Sequence, residues 1–429
     1  MSEFVSCVML SLRNAFGIPS IKIPLDSATL VSYVLPSIAS YFALAVLAVT
    51  SQTRSVRVAL WPLVALLALR ATLSVDMSQG KPEYLLLNSM FVVSVSRDDE
   101  PRLTYVLTSL QLFMLSAVIR SLGWTLAKGP LVRHIRPKNS PPSTIMDALD
   151  LVFTFRGHGW EWSRRLYIPR ETRPTSPIAF TFHAFLSLIA HALISGVSRH
   201  AFLSLVPERA GTSPSGSTLF DESLPFLVRY LRSSVITMFA AIEIYASMQV
   251  TYDLCTIPGV LLLGQGPAQW PPAFDAPWRA TSLSEFWGRR WHQFLRHIFL
   301  LTGGYPLALV LGRTGIVIGA FSACALWHHI NLLTCDSQTE FWWMLVGFEM
   351  MGVGVLVERA FHRLTGRQVG GVMGWVWTMG WLILWGNVIF EGFARASSQD
   401  RLSVIDEIPP LRELVEYLML SFDGWLHVI

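Results

Sequence analysis

Charge is scarce in this chain. Asp, Glu, Lys and Arg together supply 14% of its 429 residues, while hydrophobic types supply 52%. Water-soluble domains run nearer a quarter charged, so this composition excludes an ordinary soluble fold and indicates an integral membrane protein. Cysteine is scarce too. Cys7, Cys255, Cys324 and Cys335 lie in or beside apolar segments without paired spacing, which speaks against a disulfide framework or a zinc site and for reduced, buried thiols. The net charge is only +4 and no long Lys/Arg block occurs, so nucleic acid is not an expected partner. Repeated histidine boxes, as in membrane di-iron oxygenases, are missing. His292 and His297 give one HxxxxH and His328-His329 one HH, but Ala325 stands where an HxxHH would begin. A single acidic pair, Asp147-Ala148-Leu149-Asp150, is too little for the two aspartate-rich motifs that bind Mg-diphosphate. The helix break at Gly312-Arg313-Thr314-Gly315 has no counterpart, as the inverted halves of a transporter would require.

What the sequence has instead is a series of long apolar windows. They fall near Thr29–Thr50, Val58–Val75 (interrupted by Arg70), Tyr105–Leu122, Ile178–Val206, Leu224–Val250, a shorter piece Ile257–Leu263, His297–Leu333, Phe341–Leu356 and Val372–Phe390, with an amphipathic stretch at Leu411–Leu426. His297–Leu333 is long enough for two passes broken at Gly312. A helix needs roughly 20 apolar residues to cross ~30 Å of hydrocarbon, so about eight to ten helices are expected. Backbone polar groups must be satisfied inside lipid, and no dyad alternation supports a barrel, so the expected fold is all-α and polytopic. The N-terminal stretch Met1–Pro24 lacks a small-residue cleavage site and reads as retained. No repeat divides the chain, so residues 1–429 read as a single domain with a motif-bearing core of about 150–392. Sixteen tryptophans, several near window ends, suit the headgroup region. The loop from Arg120 to Arg173 is rich in Lys and Arg, which places it in the cytosol. Two further passes return Gly264–Arg296 to that side, and the loop between them, with Glu208, Asp221 and Glu222 against Arg209, suits the lumen.

Three clusters could carry chemistry. In Phe286-Trp287-Gly288-Arg289-Arg290-Trp291-His292-Gln293-Phe294-Leu295-Arg296, the residues Trp287, Trp291, Phe294 and Ile298 follow a helical stripe. Arg289, His292, Gln293 and Arg296 fall on another side, so an amphipathic helix leading into the next span is expected. Its plainest role is an interfacial anchor. Its sharper role is a cradle of guanidinium forks, Arg289, Arg290 and Arg296, for the phosphates of coenzyme A. His328 and His329 follow an apolar run of small residues, where a histidine faces a bundle interior. Adjacent histidines point about 100° apart, so one of them serves a site, with Asn331 one turn on to orient His328. A neutral imidazole there makes a good general base. Arg156-Gly157-His158-Gly159-Trp160-Glu161-Trp162 reads as a tight turn hugging the interface.

These residues resemble a known family. Ser284-Glu285-Phe286-Trp287-Gly288-Arg289-Arg290-Trp291-His292 is very similar to the SxxxFWGRRWH signature of the wax synthase-like branch of membrane-bound O-acyltransferases. Arg156 to Trp162 resembles the RGxGWxW motif of fungal members, many of them terpenoid or meroterpenoid acetyltransferases. Cys324-Ala325-Leu326-Trp327-His328 sits where the family has an SGxxH-type run ending in its catalytic histidine; here Cys-Ala replaces Ser-Gly, and His329 replaces the acidic residue that follows. The resemblance implies helices around an intramembrane reaction tunnel, with His328 (alternatively His329) as base and His292 steadying the oxyanion or thioester. It implies Trp287, Arg289, Arg290, Trp291, Arg296, Asn331, Arg156 and Trp160 as substrate or CoA contacts. No bound cofactor and no metal are implied; acetyl-CoA is the co-substrate and a lipophilic terpenoid-derived alcohol the acceptor. The setting is the endoplasmic reticulum membrane, with membrane lipid around the chain and no obligate protein partner. A long-chain wax-ester synthase is the alternative activity, and a non-catalytic lipid-binding or transport protein the alternative class.

Overall fold

A computed structural model describes residues 16–19, 21–80, 109–136, 142–164, 166–206, 218–334, 340–396 and 408–428. The expectations for Cys7, Cys335, the segment before residue 16 and the loop charges Glu208 and Arg209 fall outside these residues. The described residues gather into two compact units, 16–166 and 167–428. Regular structure among them is helical apart from a parallel two-stranded ladder, β1 (Ile23–Leu25) beside β2 (Val75–Gly80). Among the described residues seven helices are long and apolar enough to cross a membrane, so this is a multi-pass integral membrane protein.

The first unit holds α1 (Ser27–Val49), α2 (Arg54–Ser74), α3 (Ser109–Leu126) and α4 (Thr144–Phe153). Its core joins Tyr41, Leu44, Val64, Trp124, Leu151 and Trp160, with the Tyr41 and Trp124 rings stacked 4.8 Å apart. Two buried arginines complete it. Arg57 donates to the Trp124 carbonyl at 2.5 Å and Arg120 to those of Val152 and Leu151 at 2.7 and 2.6 Å. Each guanidinium thus satisfies carbonyls at a helix C-terminus that have no partner within the helix, where the dipole also favours a cation.

The second unit begins with α5 (Pro177–Leu205) and α6 (Phe226–Leu261) packed together. The separate apolar piece expected at 257–263 is instead the end of α6, which runs through Pro258. The loops before α5 and after α6 share one end of the pair. Tyr167 donates to Asp275 at 2.8 Å, and Arg173 donates to the Trp270 carbonyl. The motif segment follows as α7 (Leu283–Glu285), then α8 (Arg296–Leu333), α9 (Phe341–Thr365), α10 (Gly371–Ala396) and α11 (Pro409–Leu426). The expected amphipathic C-terminal helix α11 lies on α5 through Val415 and Ala201.

Inside α8 the backbone leaves helical geometry at Gly312 (φ 58°, ψ −138°) and the chain reverses. The result is a hairpin with arms of roughly 24 and 32 Å, with its break at the Gly312 expected from the sequence. Small residues let the arms touch. A Cβ on Gly319 would lie 2.1 Å from the Gly303 carbonyl oxygen, and one on Gly303 would lie 1.8 Å from that of Gly319. Backbone contact of this kind is how helices associate where no hydrophobic gradient drives them together. Gly319→Ala is therefore expected to destabilise the protein by about 1–3 kcal/mol through overpacking. Gly380→Ala, where an added Cβ meets nothing within 4 Å, is expected to be neutral or slightly stabilising. Thermal unfolding in detergent micelles compares the two; equal melting temperatures would contradict the close-packed hairpin.

Candidate functional site

The segment Leu283–Arg290 begins at a well-made helix start. Ser282 is its N-cap, accepting from the Glu285 N–H at 3.0 Å. The Leu283 and Ser284 N–H groups donate to the two carboxylate oxygens of Glu358, at 2.6 and 2.9 Å. The Trp377 indole N–H donates to the same carboxylate at 3.1 Å. Glu358 belongs to α9 and is 6% exposed. A carboxylate in that setting is costly unless several donors surround it. Here two N–H groups of a helix N-terminus and one indole supply them, and the dipole of the turn adds to the attraction.

The expected continuous amphipathic helix does not form. After Glu285 the chain winds as a π turn, Phe286–Arg290, closed by the Trp291 N–H donating to the Phe286 carbonyl at 2.9 Å. At Trp291 it turns extended (ψ 156°), and helix resumes only at Arg296. Side chains hold this break open. Gln293, 3% exposed, donates to the carbonyls of Trp287 and Trp291 at 3.2 and 2.7 Å. Arg296 donates to the Gly288 carbonyl at 2.8 Å and to Gln293 at 3.2 Å. These groups take carbonyls that a regular helix would have bonded internally. π turns of this kind recur at functional sites.

The three arginines part company. Arg290 is tied to Glu285 at 2.7 Å and to the Asp275 carbonyl at 2.9 Å, while the Asp275 N–H returns a bond to the Arg290 carbonyl at 2.9 Å. Arg296 is engaged in the turn just described. Both therefore clamp the backbone of the motif segment through part of their guanidinium groups. Arg289 alone is exposed, its guanidinium 5.7 Å from the centre of the Tyr167 ring. Burial on its own would raise the Glu285 carboxyl, but the Thr281 N–H at 2.8 Å and the Arg290 guanidinium hold it below the usual carboxylate range.

Around this turn lies a wall of rings. His292 contacts Trp291 at 5.5 Å and Phe274 edge-on at 5.9 Å, and stacks with Phe294 at 5.6 Å. Trp291 meets Trp287 at 6.4 Å, and Trp287 meets Phe321 at 5.6 Å. Trp287 and Phe321 pack in turn on the cluster of Cys324, Ala325, Met344, Phe348, Met351 and Ile389. His328 closes the set, stacked on Phe348 with centroids 4.7 Å apart and an interplanar angle of 10°. His292 and His328 thus stand at the two ends of one run of packed side chains, rings from His292 to Phe321 and then the apolar cluster that holds Phe348. His329 points elsewhere. It is buried beside Phe341 at 5.1 Å, and its Nδ1 has no hydrogen-bond partner among the described residues. The amide of Asn331 donates to the Trp327 carbonyl at 2.7 Å.

In the first unit, Gly157 (φ 65°) and Gly159 (φ 84°) make the tight turn expected around His158. Trp160 is fully buried, with its indole N–H on Asp150 at 2.7 Å, and Asp150 also pairs with Arg133 at 2.7 Å. Trp160 therefore sits in the core of the first unit. Arg156 is buried as well. Sequence reasoning missed Glu358, Gln293 and Glu285. Glu358 carried a signal, being a lone acid in an apolar stretch next to a window ended at Leu356.

Residues 270–349 match the family described as Membrane bound O-acyl transferase. The matched segment is 80 of the chain's 429 residues. It contains the π turn, His292, the α8 hairpin, His328 and Phe348, so the family resemblance read from the sequence is borne out. The "Long-chain-alcohol O-fatty-acyltransferase" of Simmondsia chinensis is 25% identical over 205 residues, 44% of this chain and 56% of that protein. The chain thus spans about half of that relative's length. "Acetyltransferase ple2" of Rhodocybe pseudopiperita is 24% identical over 377 residues, 83% of this chain and 91% of the relative. "O-Mevalon transferase yanI" of Aspergillus niger is 31% identical over 163 residues, 35% of this chain and 34% of the relative.

The Glu285 clamp gives a pH dependence with a defined sign. Its folded value lies below the ordinary 4.5, so its contribution is complete above that value and is lost as pH falls through the depressed one. Melting temperature, followed from neutral pH down through the carboxylate range, should fall more steeply for the wild type than for Glu285→Gln. Parallel acid limbs would contradict the clamp.

Proposed function

We propose that this chain is an acyl-CoA-dependent O-acyltransferase that moves acetyl from acetyl-CoA to a hydroxyl of a lipophilic terpenoid or meroterpenoid alcohol. The observation that carries this reading is the run of packed rings and apolar side chains that links His292 to His328 within the matched segment. Support for the acetyl donor comes from ple2, an acetyltransferase by name, whose similarity runs along 83% of this chain. The Simmondsia relative keeps a long-chain wax-ester synthase as the second reading.

In the proposed mechanism, His328 takes the proton of the acceptor hydroxyl as its oxygen bonds to the thioester carbonyl carbon. The C–S bond then breaks, and the CoA thiolate leaves with the proton held by His328. His292 donates a hydrogen bond to the carbonyl oxygen as negative charge gathers there. Trp287 and Trp291 form the wall that holds the acyl group near both histidines, and Arg289 is the motif cation available to a CoA phosphate. Holding both substrates on one surface supplies proximity. The setting we propose is the endoplasmic reticulum membrane with the motif loop facing the cytosol, where acyl-CoA is found. One domain spans 1–429, its catalytic core being about 150–392, and membrane lipid delivers the acceptor.

Membranes incubated with labelled acetyl-CoA and oxygenated terpenoid alcohols test this. His328→Ala should lose on the order of 10²-fold or more in rate, while His329→Ala keeps most of it. Arg289→Ala should raise KM for acetyl-CoA about tenfold with kcat held, equivalent to one charge-assisted contact. Full turnover by His328→Ala would refute the mechanism.

A further inference from the structure

A second polar network lies in the membrane-spanning pair α5 and α6, outside the motif. Asp253 is fully buried, and both its oxygens accept, from the Ser187 hydroxyl at 2.7 Å and the Gln249 amide at 3.1 Å. His191 Nδ1 lies 2.8 Å from the Ser187 carbonyl and 3.2 Å from its hydroxyl. The Tyr245 hydroxyl lies 3.4 Å from His191 Nε2. One proton assignment fits all these contacts. Ser187 donates to Asp253, so Nδ1 carries the ring proton toward Ser187, which leaves the Nε2 lone pair facing the Tyr245 hydroxyl.

Polar side chains deep in a span act either as interhelical glue or as a site. The Ser187–Asp253 bond joins α5 to α6 and by itself suffices as glue. His191 and Tyr245 extend beyond it. They sit fifteenth of 29 and twentieth of 36 residues in their helices, near the middle of each, and both are half-buried. Their mutual contact is at the long limit of a hydrogen bond. Tyr245 also touches the motif wall, edge-on to Phe274 at 4.7 Å and to Trp278 at 5.6 Å. Phe274 in turn meets His292. The network therefore ends two ring contacts from the motif histidine.

We propose that Tyr245 and His191, backed by Ser187 and Asp253, form a binding site for a second hydroxyl on the acceptor, remote from the one that is acylated. An inserted hydroxyl accepts from Tyr245 and donates to His191 Nε2, replacing one long contact with two ordinary bonds. The site rests on the acyltransferase reading for its purpose, and it selects rigid lipophilic diols over plain aliphatic alcohols. A site built to hydrogen-bond a hydroxyl rejects the analogue that lacks it, because its own polar groups are then left unpaired.

The test uses the purified full-length protein in detergent with two probes: androstanediol, a rigid lipophilic diol, and androstanol, which keeps the skeleton and one hydroxyl. Equilibrium binding should favour the diol about tenfold in the wild type. Tyr245→Phe keeps the ring contacts and should abolish the preference while leaving androstanol affinity unchanged; Asp253→Asn should weaken it. Equal binding of the two probes by the wild type, binding of neither, or a preference that survives Tyr245→Phe would overturn the site. Acetyl transfer measured on the same preparation separates the two claims. A preference for the diol without any transfer keeps the site and removes the enzyme reading.

Discussion

The carboxylate of Glu358 and the three N–H groups around it are the constraint on which the site depends. A charge inside a helix bundle is tolerated only where donors converge on it, and these donors are the first two N–H groups of the motif turn and an indole from α10. Satisfying the charge therefore fixes where the turn begins against α9 and α10. Everything downstream, from Trp287 to His292, is measured from that anchor. Glu285 and Arg290 then hold the far side of the turn to the Asp275 loop.

The same economy of partners recurs. Buried cations are placed on helix C-termini in the first unit, and a buried anion on a helix N-terminus in the second. In each case a group that lipid would not solvate is matched with backbone groups that a helix leaves open. The arginines of the motif follow this logic. Arg296 takes a carbonyl of the turn, Arg290 ties the turn to Glu285 and the Asp275 carbonyl, and only Arg289 is exposed, so much of the sequence motif shapes backbone.

Much of the fold was legible because spanning helices need long apolar windows and hairpins need glycine. The windows near Ile178–Val206 and Val372–Phe390 correspond to α5 and α10, and the Gly312 break is the point of reversal. The motif turn was legible as a cluster of residues but not as a shape. Its 3.6-residue stripe predicts a helix; what breaks that helix is side-chain bonding by Gln293 and Arg296, and what fixes its start is an acid 75 residues further on. Periodicity contains no information about such partners. The burial of Trp160 was hidden for a related reason: a tryptophan on a polar loop looks interfacial until Asp150 and the core around it are known.

Amide hydrogen exchange across residues 283–291 in the wild type and in Glu358→Gln tests the central claim most directly. Glutamine has one acceptor oxygen where the carboxylate offers two, so at least one of the Leu283 and Ser284 amides loses its partner. The account predicts that protection falls across the motif turn while α5 and α6 exchange as before. Unchanged protection at Leu283 and Ser284 would contradict it.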